Sequence, residues 1–124
     1  MKNEMIKIDR EKNRLYLYFS TITEIADCRC MITEIESIVR LLKQGFSCIS
    51  DLRGFSYHDH DFMQSIQETL WDAGVKLVVR IIEPDQNEKI LFTHEKKSIV
   101  WPAYLIETAH NIEHAEIILK TYNL

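Results

Sequence analysis

The chain has 124 residues, 46% of them hydrophobic and 27% charged, with only three glycines and two prolines. That suits one domain with a sizeable core and excludes a loop-rich or disordered chain. A formal net charge of −4 argues against a nucleic-acid-binding domain, which carries a basic face.

Met5–Asp9 and Leu15–Ser20 read as two strands joined by the polar link Arg10-Glu11-Lys12-Asn13. Leu15, Leu17 and Phe19 alternate with Tyr16 and Tyr18, the period of a half-buried strand. Asn13 suits the left-handed conformation of a tight turn, so a β-hairpin is expected. Thr21 and Glu24 have the spacing of a capping box. Ile25, Cys28, Ile32, Ile35, Val39 and Leu42 follow at helical spacing, and Gly45 is placed to end that helix. Phe46–Leu52 is the next strand. A second helix follows with Phe62, Ile66, Leu70 and Ala73 as its apolar stripe and Gly74 as its end. Val75–Ile82 is apolar on both faces, as in a buried parallel strand. The stretch 86–97 predicts a short helix, and 101–107 a last strand. Asn111 then caps a final helix with Ile112, Ala115, Ile118, Leu119 and Tyr122 on its buried side.

The expected fold is α/β: one mixed sheet of about five strands, an N-terminal hairpin followed by parallel strands, layered with about four helices. It forms a single domain over 1–124. No apolar run approaches the roughly twenty residues of a membrane span. The first residues lack the apolar core of a secretory leader. Cys28, Cys30 and Cys48 are odd in number and sit inside periodic elements, which predicts reduced thiols in a cytoplasmic protein.

Chemistry concentrates where the third strand ends, in Asp51-Leu52-Arg53-Gly54-Phe55-Ser56-Tyr57-His58-Asp59-His60-Asp61-Phe62. Ligands and partners meet open α/β sheets just beyond the carboxyl ends of strands. Asp51 suits either a general base or an ion pair with Arg53, two residues on and on the same side of an extended chain. His58-Asp59-His60-Asp61 carries metal-ligand groups, but successive side chains point in different directions. A helix cap with solvated histidines accounts for the run as well, and no metal or cofactor is assigned. His110 and His114, four apart, suggest a half-site on one helix face. No Ser-His-Asp or Cys-His set is legible. A hydrolase using Asp51 and His58 is the least supported reading. The aromatics Tyr16, Tyr18, Phe55, Tyr57, Trp71, Trp101 and Tyr104 either bury against helices or mark a partner or ligand surface. Self-association through the hairpin face bearing Tyr16 and Tyr18 is one such use.

The order of these elements, with Asp51-Leu52, Phe55, Tyr57 and Asp59 at the end of the third strand, resembles the STAS family of sulphate-transporter and anti-sigma-factor-antagonist domains. Ala73-Gly74-Val75-Lys76-Leu77-Val78-Val79 and the last helix fit the same pattern. The nearer likeness is to the STAS-like branch of small, stand-alone bacterial proteins. The resemblance implies a non-enzymatic module that binds a protein partner or itself, through His58, Asp59, His60, Asp61 and Phe62. The family's phosphorylated Ser follows the motif Asp, and His60 and Asp61 stand there instead, with Phe62 for the usual Gly. A switch by phosphorylation is therefore not expected. The fold relation to lipid-carrying CRAL-TRIO domains implies an alternative. That alternative is a carrier or sensor of a small apolar ligand, held by Asp51, Arg53, Tyr57, Trp101 and Tyr104 under a lid formed by 86–104.

Overall fold

The computed structural model describes residues 5–56, 60–84 and 104–124. Five strands form one sheet in the order in which the chain makes them: β1 (Ile6–Asp9), β2 (Arg14–Tyr18), β3 (Ser47–Asp51), β4 (Leu77–Ile81) and β5 (Leu105–Ala109). β1 and β2 are the antiparallel hairpin, and each later strand joins its predecessor in parallel. The α/β class and the mixed sheet are as the sequence predicts. Three α-helices are described, α1 (Ile25–Ile38), α2 (His60–Asp72) and α3 (Ile112–Thr121), one fewer than predicted. The stretch 86–97, where the sequence predicts the fourth, lies outside the described residues. β5 runs two residues beyond the predicted 101–107, and 101–103 lie outside the described residues.

The two faces of the sheet carry separate cores. Leu15, Leu17, Phe19, Cys48 and Val78 face α1 and α2, joined by Met31, Ile35, Ile66 and Leu70. Successive right-handed crossovers in one direction leave both helices on one face, and α1 and α2 share this core. Tyr16, Ile49, Leu77, Val79, Ile81 and Ala109 face α3, which supplies Ala115 and Leu119. β4 is buried at every position because both of its faces are covered.

Several local expectations shift. The capping box of α1 lies three residues later than Thr21 and Glu24. Asp27 accepts the main-chain N–H groups of Thr23 and Glu24 through Oδ2, at 3.0 and 3.2 Å, and the Thr23 hydroxyl at 3.2 Å. Ile22 explains the shift: fully buried, it holds the chain extended until residue 24. Ile25 consequently points outward at 52% exposure, and Met31 takes the core position. α1 ends at Ile38, and a 3-10 turn over Val39–Leu41 follows. Tyr122 lies at the rim of α3 with its hydroxyl donated to Glu107, instead of under the helix.

The hairpin turn is tied to the far side of the α1 crossover. Asn13 has φ 54°. Its Oδ1 accepts the Lys43 N–H at 2.8 Å, its Nδ2 donates to the Lys43 carbonyl at 3.2 Å, and its own carbonyl accepts the Ser47 N–H at 3.1 Å. Asn13→Ala removes both side-chain bonds and strains the backbone, an expected loss of about 2 kcal/mol. Asn13→Gly removes the bonds but relieves the strain, so about half that loss is expected. Urea denaturation of both variants checks the ranking.

Candidate functional site

β3 ends in a turn whose two flanks are fixed by different forces. On the α3 face, Asp51 stands beside Tyr18 and Ile81 in the register of the sheet. Arg53 folds back onto it. Its Nε donates to Asp51 Oδ1 at 3.0 Å, its Nη2 to Oδ2 at 2.8 Å, and its main-chain N–H to Oδ1 at 3.1 Å. Such a two-pronged, charge-assisted pair is among the stronger polar contacts and has one geometry. Both carboxylate oxygens therefore accept from Arg53, which fixes the orientation of Asp51. The bond to Asp51 in turn raises the Arg53 pKa above its ordinary value and keeps the guanidinium charged.

On the opposite face an aromatic trio closes the turn. Phe19, from the end of β2, meets Phe55 edge-on at 5.5 Å between ring centres and Phe62 at 6.1 Å, while Phe55 and Phe62 are 6.4 Å apart. All three are buried. Phe55 lies before and Phe62 after residues 57–59, so the trio joins the described segments on either side of them. Gly54, at φ 75°, and the bond from the Phe55 N–H to the Leu52 carbonyl at 3.1 Å turn the chain towards the trio.

The residues singled out from the sequence divide accordingly. Tyr57, His58, Asp59 and Trp101 lie outside the described residues, and of His60 only the main chain is described, opening α2. Asp61 is exposed in the first turn of α2. Phe62 is a correction: at 3% exposure it serves the core and presents no side chain to a partner. Tyr104 is buried, where it lines a small cavity beneath α2. Tyr16 is a second correction. α3 packs over it, and its hydroxyl donates to Glu116, so the tyrosine face of the hairpin is half covered from within the chain. Tyr18 remains half-buried, with its pKa raised first by burial and then by Tyr16, Asp51 and Glu116.

His110 and His114 do not share a helix face, because His110 precedes the cap residue Asn111. Their rings stack at 5.4 Å. The Nδ1 of His114 accepts the main-chain N–H of His110 at 3.2 Å. That hydrogen bond engages the Nδ1 lone pair of His114 within the chain. Among the described residues no three His, Cys, Asp or Glu side chains come together as a metal site. The cysteines are free. Burial pushes the Cys48 thiol up to about 12, which removes the thiolate a nucleophile needs.

Sequence reasoning passed over a polar group beneath α2. Ser50, Gln67 and Arg80 are each at least 95% buried, and with Tyr104 they line a cavity of about 10 Å³ walled by Phe19, Leu52 and Met63. That volume matches one water molecule and is far too small for an acyl chain. Two signals were legible: Gln67 interrupts the stripe Met63, Ile66, Leu70, and Arg80 interrupts an otherwise apolar buried strand. A wider trench of about 520 Å³ runs between the hairpin and α3. Tyr16, Tyr18, Ile112 and Glu116 line it, and Lys7 sits 5.8 Å from the Tyr16 ring centre.

No helix among the described residues is long and apolar enough to cross a membrane. No family model, curated protein or solved structure matches the chain.

Proposed function

We propose that the chain is a non-enzymatic, cytoplasmic STAS-like module that binds a protein partner, or a second copy of itself, through His58, Asp59, His60 and Asp61 at the start of α2. The observation that carries this reading is the framing of that turn. The Asp51–Arg53 clamp and the Phe19–Phe55–Phe62 trio hold its stems from both faces of the sheet. Polar residues that lie between two fixed anchors at the carboxyl end of a strand have a lower ordering cost on binding than a segment without anchors. Of the groups a reaction would use, Asp51 is clamped and Cys48 is sealed in the core. The turn also stands where the STAS resemblance places partner contacts, with fixed acids in place of a phosphorylatable Ser. Acids in the first turn suit the positive end of the α2 dipole, so the surface is negative without modification.

The test is a charge reversal, Asp59→Lys with Asp61→Lys, in a tagged chain used as bait. Proteins retained by the parent chain should be retained at least about tenfold less well by the variant, as expected for interface charges that steer association. Circular dichroism checks that the variant is folded. An unchanged set of retained proteins, or an unchanged self-association mass in light scattering, overturns the assignment of this surface.

A further inference from the structure

The entry to α3 rests on a histidine acting as a hydrogen-bond acceptor. Asn111 caps the helix by accepting the His114 main-chain N–H through Oδ1 at 2.7 Å, and its carbonyl accepts the Ala115 N–H at 3.0 Å. His114 completes the turn by accepting the N–H of His110 at Nδ1, 3.2 Å away. Three consecutive steps of chain, from the end of β5 into the helix, are thereby locked together. We propose that this turn is a pH-sensitive latch on α3, closed while the His114 ring is neutral and released when it is protonated.

Three features of the geometry point the same way. A protonated imidazole has two donors and no acceptor, so the His110 N–H loses its partner. The new charge would stand in the first turn of a ten-residue helix, at the positive end of its dipole. It would also face the stacked ring of His110, with ring centres 5.4 Å apart. No described acid is positioned to compensate. Among the charged groups of the elements packed on α3, Asp51 at the end of β3 is taken by Arg53, and Glu107 of β5 is taken by Tyr122. Arg80 of β4 lies on the other face of the sheet, among the residues under α2. On α3 itself, Glu116 is held by Arg14, and Glu113 and Lys120 point to solvent. Glu83, beyond β4, acts on Arg53.

Release would loosen the first turn while the Arg14–Glu116 contact further along keeps the helix on the sheet. What opens is the edge of the second core around Ile112 and Ala109, on the same sheet face as the Asp51–Arg53 clamp. The inference does not rest on the partner-binding reading, since it concerns only the described residues of β5 and α3.

Histidine is the side chain that ordinarily changes charge between about pH 5 and 8, so amide hydrogen exchange of the whole chain is compared near those two limits. After correction for intrinsic exchange, protection of the His110 amide should fall about tenfold at the acid end, the loss of one hydrogen bond. The amides of α3 beyond Glu116 should keep theirs. In His114→Gln, whose amide oxygen accepts a hydrogen bond at any pH, the fall should be absent. Nitrogen shifts of the His114 ring in the parent chain give a reading independent of the variant: Nδ1 should be unprotonated at the neutral end. A parent chain whose His110 amide protection does not change, an equal fall in His114→Gln, or a protonated Nδ1 at neutral pH overturns the latch.

Discussion

Phe19→Ala should lower stability by about 3–5 kcal/mol, the range for deleting a fully buried aromatic ring. A domain of this size has roughly 5–15 kcal/mol to lose, so the melting temperature should fall by roughly 10–20 °C. The size of the effect comes from where the ring sits. Phe19 has no exposed surface, touches Phe55 and Phe62, and walls the cavity beneath α2. Truncation would leave a void that two other rings must collapse into, and both belong to the stems of the turn at the end of β3. Partner binding should therefore weaken together with stability, unlike in a core variant far from the turn such as Ile35→Ala. Phe19→Leu keeps most of the volume and should cost about half as much. Thermal and urea unfolding of the three variants gives the ranking. A Phe19→Ala protein as stable as Phe19→Leu would show that the trio does not act as a packed unit.

Glu116→Ala should cost about 2–3 kcal/mol although its side chain is 30% exposed. The reason is the partner. The Arg14 side chain is only 5% exposed, and its Nη1 donates to Glu116. Arg14 also donates to Ser47 Oγ at 3.2 Å and to the Leu124 main-chain oxygen at 2.9 Å. The Tyr16 hydroxyl and the Lys12 ammonium complete the surroundings of the carboxylate. Removing the acid takes that counter-charge from a guanidinium held in the interior. Breaking such a buried pair costs about 3–5 kcal/mol, reduced here because water reaches Glu116. Glu116→Gln retains an acceptor and should cost less, about 1 kcal/mol. Replacing both members, Arg14→Leu with Glu116→Leu, should recover most of the loss. A double-mutant cycle read by urea denaturation checks this, and strict additivity would sink the claim that the two charges depend on each other.

Much of the sheet was legible because it depends on local rules. Leu15, Leu17 and Phe19 share a face by alternation alone. Asn13 and Gly74 mark the left-handed ends of a hairpin turn and a helix, at φ 54° and 92°. Asn111 announces its helix by residue type. What failed were matters of tertiary context. Thr21–Glu24 and Glu24–Asp27 offer the same capping spacing, and only the burial of Ile22 decides between them. Alternation puts Tyr16 opposite Leu15 but cannot say that α3, about 100 residues later, covers it. The Asp51–Arg53 pair was readable from its spacing, whereas the aromatic trio was not, since Phe19 is far from Phe55 and Phe62 in sequence. Gln67 and Arg80 show the limit from the other side. Each breaks an apolar pattern visibly, yet only the fold brings them to one cavity.

The Arg14–Glu116–Leu124 contact also bears on how the chain comes to be folded during synthesis. The hairpin, α1, α2 and β4 meet through neighbours in the chain, so the first core can condense while the rest is still being made. Among the described residues, the second face of the same sheet has no such local cover. Its buried residues from Tyr16 to Ile81 wait for a helix that begins at Ile112, and Arg14 waits for a counter-charge 102 residues downstream. A nascent chain released from the ribosome before that helix has docked shows an apolar sheet face, the kind of surface on which chaperones and aggregation compete. Closure of the second core, as far as the described residues form it, thus waits on α3.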